Sequence, residues 1–262
     1  MRIFKALFSR ATPRLWRQAA LPVACATLTG CIMSPKAPTI TPQARTQAAR
    51  VDTGDFAWGF SSSSWQYENR QTGKDGQLPF RTDWDILMEQ GKAVPRGNTV
   101  VMSWSEFDKD VAALKKIGAT HYRFSLEWAR IEPQPGRYDE AAIGRYVEMV
   151  RRLKAAGIEP VVCLWHFTFP DWLYDKENPK RSNWLHPDSD ARWQAYVNKI
   201  VPRLKRHVRY FAPQNEPNGQ IATAYLNGQW PPAMTAALGT YAAAVRASAR
   251  QFRQAAAIIK HH

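Results

Sequence analysis

Cysteine is scarce in this chain of 262 residues: it has Cys25, Cys31 and Cys163. The first two fall in or at the end of a leader-like segment, so Cys163 stands alone in the body and no intramolecular disulfide is available there. Its apolar neighbours, "VVCLW", read as a core setting rather than that of a nucleophile. No apolar run approaches the roughly 20 residues a membrane-spanning helix needs. A G-x-G-x-x-G after a strand is also missing, which argues against a dinucleotide site. The histidines lack ligand-like spacing, so neither a metal nor an organic cofactor is implied. The net charge of +14 is spread without a dense basic run interleaved with aromatics, which speaks against nucleic-acid binding.

Acidic residues are absent from positions 1–30, where Arg2, Lys5, Arg10, Arg14 and Arg17 carry all the charge. The apolar stretch that follows, "LPVACATLTGC", is too short for a membrane span and has the form of a secretory signal. Leu28-Thr29-Gly30-Cys31 resembles the bacterial lipoprotein signal, in which the cysteine receives lipid and becomes the mature N-terminus. Plain signal cleavage near the same place is the alternative. Residues 1–30 are therefore expected to be a lipoprotein-type signal whose loss leaves a net charge of about +9. Residues 31–53 are rich in Pro, Thr, Ala and Gln without apolar periodicity and read as a tether. Residues 54–262 form the expected folded body, exported and held to a membrane through lipid on the periplasmic or cell-surface side.

That body has an ordinary globular composition, 45% apolar over the whole chain, and a repeated plan. Residues 106–118 place Phe107, Val111, Leu114 and Ile117 on one helical face and stop at Gly118. Residues 139–157 repeat this with Asp139 as N-cap, an apolar stripe of Ile143, Tyr146, Val147, Val150 and Leu153, and a stop at Gly157. A third helix is expected over about 188–207, kinked or shortened by Pro202. Each leads into a strand: "THYRFSLEW", "IEPVVCLWHF" and "VRYFAPQNE". Helix, short turn and strand, repeated, indicate parallel βα units in a doubly wound sheet or a (β/α)8 barrel. In "HYRFSLEW", Tyr122, Phe124, Leu126 and Trp128 alternate with His121, Arg123, Ser125 and Glu127. A polar strand face needs an enclosed polar interior, which favours the TIM barrel.

Barrel sites lie where strands end at the C-terminal face. The strands deliver Trp65-Gln66-Tyr67-Glu68, then Arg123, then Trp165-His166-Phe167, then Asn215-Glu216-Pro217. Amides, a guanidinium, an imidazole and a carboxylate amid aromatic rings suit a carbohydrate: hydroxyls want bidentate polar partners and sugar C–H faces want rings. Most of the 11 tryptophans are nonetheless expected to pack helices on strands.

"WGFSSSSWQYE", "YRFSLEWARIEP", "EPVVCLWHFTFPDWL" and "NEPN" occur in the order and spacing of glycoside hydrolase family 1, the β-glucosidase-like retaining glycosidases, which this chain resembles from about Phe56 onward. The resemblance implies that Glu216 is the general acid/base. It also implies that Asn215 bonds the sugar 2-hydroxyl, that Gln66 and His166 hold hydroxyls, and that Arg123 keeps the nucleophile ionised. Trp165 is taken with them as substrate-binding. Phe167 stands where the family commonly has tryptophan, and Pro213-Gln214 replaces the usual Thr and apolar residue. A working acid must be partly desolvated, so Glu216 is expected to be sheltered. Asn215 and Glu216 would face opposite ways in a regular strand, which predicts local strain or a bulge.

A retaining glycosidase also needs a carboxylate nucleophile, which in the family belongs to a later Glu-Asn-Gly-type motif. None follows here; one Ala-rich helix over about 234–259 comes after "NGQWPPAM", so roughly four of eight βα units are present. Glu127 and Glu132 are weak stand-ins. The chain then reads as the N-terminal part of a longer glycosidase, a half completed by a second chain or a second copy, a sugar-binding remnant, or a non-folding fragment. Open parallel edges would invite self-association. Residues that would read the sugar's 4- and 6-hydroxyls fall in the absent half.

Overall fold

A computed structural model describes residues 56–70, 78–93 and 103–262. The leader, Cys31 and the tether lie outside these residues, and the described ones belong to the unit Asp55–His262. Four parallel strands pair in chain order: β1 (Gly59–Ser61), β2 (His121–Ser125), β3 (Glu159–Cys163) and β4 (Tyr210–Ala212). Gly59 lies beside His121, His121 beside Glu159, and Val161 beside Tyr210. After β1 come α1 (Ser64–Tyr67), α2 (Asp83–Glu89) and α3 (Phe107–Lys116). After β2 come α4 (Trp128–Ile131) and α5 (Glu140–Ala155), after β3 comes α6 (Ser189–Leu204), and after β4 come α7 (Pro217–Tyr225) and α8 (Leu238–His261). This is a partial (β/α)8 barrel.

Local chemistry accounts for the helix ends. Asp139 accepts from the Ala142 amide at 2.9 Å, satisfying a donor that the first turn of α5 leaves open. Gly118 and Gly157 close α3 and α5 at φ +74° and +76°, a left-handed conformation that a Cβ disfavours. Between them α5 buries Ile143, Tyr146, Val150 and Leu153. These meet the outer face of the sheet, where Tyr122, Phe124 and Val162 lie in one core with Phe107 and Leu114 of α3. Trp128 stacks on Tyr196 with centroids 5.1 Å apart and meets Trp193 at 5.5 Å, which locks α4 to α6.

Three expectations need correction. β2 ends at Ser125, so the two-residue alternation does not reach Glu127 or Trp128: Trp128 opens α4, and Glu127 caps it by accepting from the Ala129 amide at 3.4 Å. Glu127 is 1% exposed and is enclosed by the hydroxyls of Ser64 and Thr168 that donate to it. α6 continues through Pro202 and ends two residues later. Ile117 is 58% exposed because it lies beyond the last turn of α3, off its buried face.

Both outer strands pair on one side only among the described residues. Trp58 and Phe60 on the β1 side are exposed, and an apolar groove between α7 and α8 is lined by Pro217, Ile221, Val245 and Phe252.

Truncating Ile143 to Ala is expected to cost about 2–5 kcal/mol in urea unfolding, through lost burial and the cavity left behind. Asp139→Ala should cost about 0.5–2 kcal/mol through the lost cap.

Candidate active site

Every strand of this sheet ends on the same side, so the residues following β1 to β4 meet there. After β1 the chain folds at once into α1. The Ser64 amide donates to Ser125 Oγ at 2.7 Å, and the Ser64 hydroxyl donates to Glu127 Oε2 at 3.2 Å. These bonds hold Trp65 and Gln66 against the end of β2. Gln66 is exposed, and its Oε1 accepts from the Ser63 hydroxyl.

Arg123 on β2 donates through Nη2 to Asn215 Oδ1 at 2.8 Å. The parallel ladder runs past the strand ends: Leu164 N donates to Ala212 O, and Asn215 N to Trp165 O, both at 2.9 Å. This continuation brings Asn215 to His166, with Nδ2 and Nε2 3.3 Å apart. Since Oδ1 is taken by Arg123, the Asn215 amide turns its N–H toward the ring. The bond then assigns His166 Nε2 as acceptor and puts the ring proton on Nδ1. Nδ1 is buried without a partner. Burial, helped by the nearby Arg123 charge, pushes the imidazole pKa down to about 4, so the ring is neutral as the geometry requires.

Glu216 follows at φ +40°, ψ +50°, as N-cap of α7, with Pro217 as the first helical residue. A left-handed glutamate is strained, by about 1–3 kcal/mol. The departure expected at Asn215-Glu216 is therefore present, and strict strand alternation ceases to apply there. Glu216 itself is exposed and makes no side-chain capping bond. The shelter expected for a proton donor is not supplied by the described residues.

Trp165 does not join this site. It is 1% exposed, with its ring 4.6 Å from Trp184 and 5.3 Å from Phe169. The β3 strand end points it into the core, so it has no face to offer a sugar. The available rings form an arc instead. Trp65 lies 6.2 Å from Trp84, Trp84 5.7 Å from Trp230, Trp230 4.8 Å from Phe167, and Phe167 4.5 Å from His166. All are partly exposed. Phe167, at φ +72°, reaches this arc from the position after His166. Sequence reasoning missed Trp84, in the short helix α2, and Trp230, in a loop, because neither segment has a periodicity to mark it.

The nearby carboxylates lie beneath the site. Glu127 accepts from the hydroxyls of Thr168 (3.0 Å) and Ser64. Glu132 accepts from Trp128 Nε1 and from Gly136 N, both at 2.8 Å. Asp83 accepts from Phe169 N at 3.0 Å and Asn183 Nδ2 at 2.8 Å. Glu68 takes the Tyr146 hydroxyl at 2.9 Å and Arg130 Nε at 3.1 Å. Burial raises the pKa of all four, Glu68 to about 7. The two weak stand-ins, Glu127 and Glu132, are thus enclosed structural acceptors. Cys163 is a core residue as expected; burial raises its thiol to about 11, and it donates to Trp165 O. Among the described residues no cluster of His, Cys, Asp and Glu could hold a metal ion.

The sequence pattern described as Glycosyl hydrolase family 1 matches residues 51–261. A coniferin beta-glucosidase of Pinus contorta is 32% identical over 197 residues, 72% of this chain and 37% of that protein. A beta-glycosidase from Pyrococcus horikoshii superposes with a TM-score of 0.63 at 28% identity, covering 79% of this chain and 44% of that one. An AHE enzyme from Alicyclobacillus herbarius gives 0.70 at 26%, with 79% and 46% covered. The chain spans less than half the length of the relatives it matches here.

Two titrations are expected to act in opposite directions. His166 is depressed from 6.5 to about 4, so its share of stability is whole above pH 6.5 and is lost as pH falls from 6.5 to about 4. The His166 ring signals in NMR should accordingly not titrate above about pH 5. Glu68 is raised from 4.5 to about 7, so its share is whole below pH 4.5 and is lost as pH rises through 7. Urea unfolding of Glu68→Gln should lack that second loss.

Proposed function

The chain belongs to glycosyl hydrolase family 1, and from that membership we propose that it carries the acid/base half of a retaining β-glycosidase. The observation that carries the reading is Asn215 bridging Arg123 and His166 immediately before the left-handed Glu216. Glu216 donates its proton to the glycosidic oxygen as the bond to the anomeric carbon breaks, then takes a proton from the water that releases the sugar. Asn215 bonds the 2-hydroxyl, and its orientation is fixed by the donor on one side and the neutral ring on the other. His166 and Gln66 bond further hydroxyls. The arc from Trp65 to Phe167 gives C–H faces a surface. The β-glucosidase names of the relatives support β-glycosides as the substrate class.

Such a reaction needs a second carboxylate about 5–5.5 Å from the first. The carboxylates beneath this site are enclosed and engaged, which supports a nucleophile supplied from outside the described residues. Arg123 would then serve that incoming carboxylate. Coverage of less than half of each relative agrees with a site divided between this half barrel and the remainder of a barrel, whether on a longer chain, a partner chain or a second copy. The exposed β1 side and the α7–α8 groove are where that remainder, or a second copy, would pack. A lipid-tethered sugar-binding half barrel without turnover is the second reading, favoured by the solvent exposure of Glu216. In either case the leader-like positions 1–30 support export, with Cys31 as the lipidated residue.

The purified chain alone is expected not to hydrolyse aryl β-glycosides. Hydrolysis that survives Glu216→Gln would remove Glu216 from the acid/base role. Mass spectrometry of the mature N-terminal peptide should find Cys31 first and carrying diacylglycerol; an unmodified residue elsewhere as N-terminus would refute the anchor.

A further inference from the structure

We propose that the face formed by the helix C-termini, opposite the candidate site, is a docking surface for anionic lipid headgroups. The proposal rests on the exported, tethered reading given above and adds to it which way the body faces. In a parallel sheet all strands begin on one side, and each returning helix brings its last turn there. That side gathers Lys115 and Lys116 at the end of α3, Arg151 and Lys154 at the end of α5, Lys205, Arg206 and Arg209 between α6 and β4, and Lys260 at the end of α8.

These ends are neighbours in space. Arg151 Nε lies 3.4 Å from His207 Nε2, and Lys205 Nζ donates to Ile259 O at 3.2 Å. The acid at the start of β3, Glu159, is engaged by Lys154 at 2.6 Å. Lys115, Lys116, Arg206 and Arg209 are exposed, and none belongs to an ion pair among the described residues. Acids open the helices, with Asp108 and Asp110 on α3, Glu140 on α5 and Asp190 on α6, as the helix dipoles favour. Asp108 pairs with Arg152 in the last turn of α5 and Glu140 with Arg203 in the last turn of α6, so the positive charge of the strand-start face rests on Lys115, Lys116, Arg206 and Arg209.

The body is also entered from this face. Trp58 O accepts from Thr120 N at 2.7 Å and from His121 N at 2.9 Å, which fixes the start of β1 against the α3–β2 turn. Whatever precedes residue 56 is therefore attached here. A random coil as long as the interval from Cys31 to Phe56 would have a root-mean-square reach of about 25–30 Å, so on the tethered reading a lipid at Cys31 would keep the body within reach of the bilayer. Trp58 and Ile117, 53% and 58% exposed beside the cations, are residues of the kind that settle at a membrane interface. The attraction acts within a Debye length of about 8–10 Å. Docked this way, Asn215 and Glu216 face the aqueous phase, open to glycosides.

The test uses the full chain with Cys25 and Cys31 replaced by Ser and one bimane label, introduced by Lys116→Cys on the basic face or Arg137→Cys in the turn before α5, on the strand-end side. Vesicles contain a nitroxide headgroup quencher and either equal phosphatidylglycerol and phosphatidylcholine or phosphatidylcholine alone. On the anionic vesicles, quenching at position 116 should exceed that at 137 by at least about twofold. The difference should vanish on neutral vesicles, at high salt, and after Lys115→Glu, Arg206→Glu and Arg209→Glu together. Circular dichroism reports whether that triple variant folds, and the salt arm decides the matter without it. Equal quenching at both positions, no sedimentation with anionic vesicles, a difference indifferent to salt, or displacement by a DNA duplex at equal phosphate would each overturn the proposal. Equal sedimentation with both vesicle types and no quenching at either position would remove the docking face while leaving the tether, which the mass of the N-terminal peptide tests separately.

Discussion

One buried carboxylate ties together the loops that make the site. Glu127 accepts from Ser64, two residues before Gln66, and from Thr168, two residues after His166, and it follows the strand that carries Arg123. Such a group is costly to bury and is stabilised only by satisfied hydrogen bonds. Its three donors, the two hydroxyls and the Ala129 amide, offset that cost only when the three loops are in place. The neighbouring Glu68, held by Tyr146 and Arg130, extends the same arrangement toward α5. Tyr146 also receives the Glu127 amide at 2.9 Å, so the two carboxylates belong to one network.

Above this network the backbone departs from regular geometry at Phe167 and Glu216. Each lies just past a strand end and turns its side chain away from the direction the strand would impose. Strain of this kind persists where the surroundings over-determine the fold. Here the ladder bonds through Leu164 and Asn215 do so, because they continue past β3 and β4. The neutral His166 is a consequence: packed beside Arg123 and bonded to an amide N–H, it has no use for a second ring proton.

Both edges of the described sheet are open. Trp58 and Phe60 on the β1 side, and the apolar groove between α7 and α8 on the other, are surfaces that a closed barrel covers with its remaining units. Glu216 is likewise open to water among the described residues.

The apolar periodicity of Ile143, Tyr146, Val150 and Leu153, the Asp139 cap and the Gly118 and Gly157 stops were enough to determine the helices, and their spacing the parallel βα order, because these are interactions within a few residues. The ordered motifs around Gln66, Arg123, His166 and Asn215-Glu216 determined the family for the same reason: each is a local word at a strand end. Alternation failed after Ser125, where a helix begins, so Glu127 was taken for a strand residue facing a barrel interior, while Trp165 was read as substrate-binding from its place beside His166 at the end of β3. Which side of a turn a side chain takes depends on partners far away in sequence, such as Thr168 for Glu127 and Trp184 for Trp165. Tertiary structure alone decided those two, along with the arc from Trp84 to Trp230 and the gathering of cations at the strand-start face, because each rests on contacts between segments that no local pattern couples.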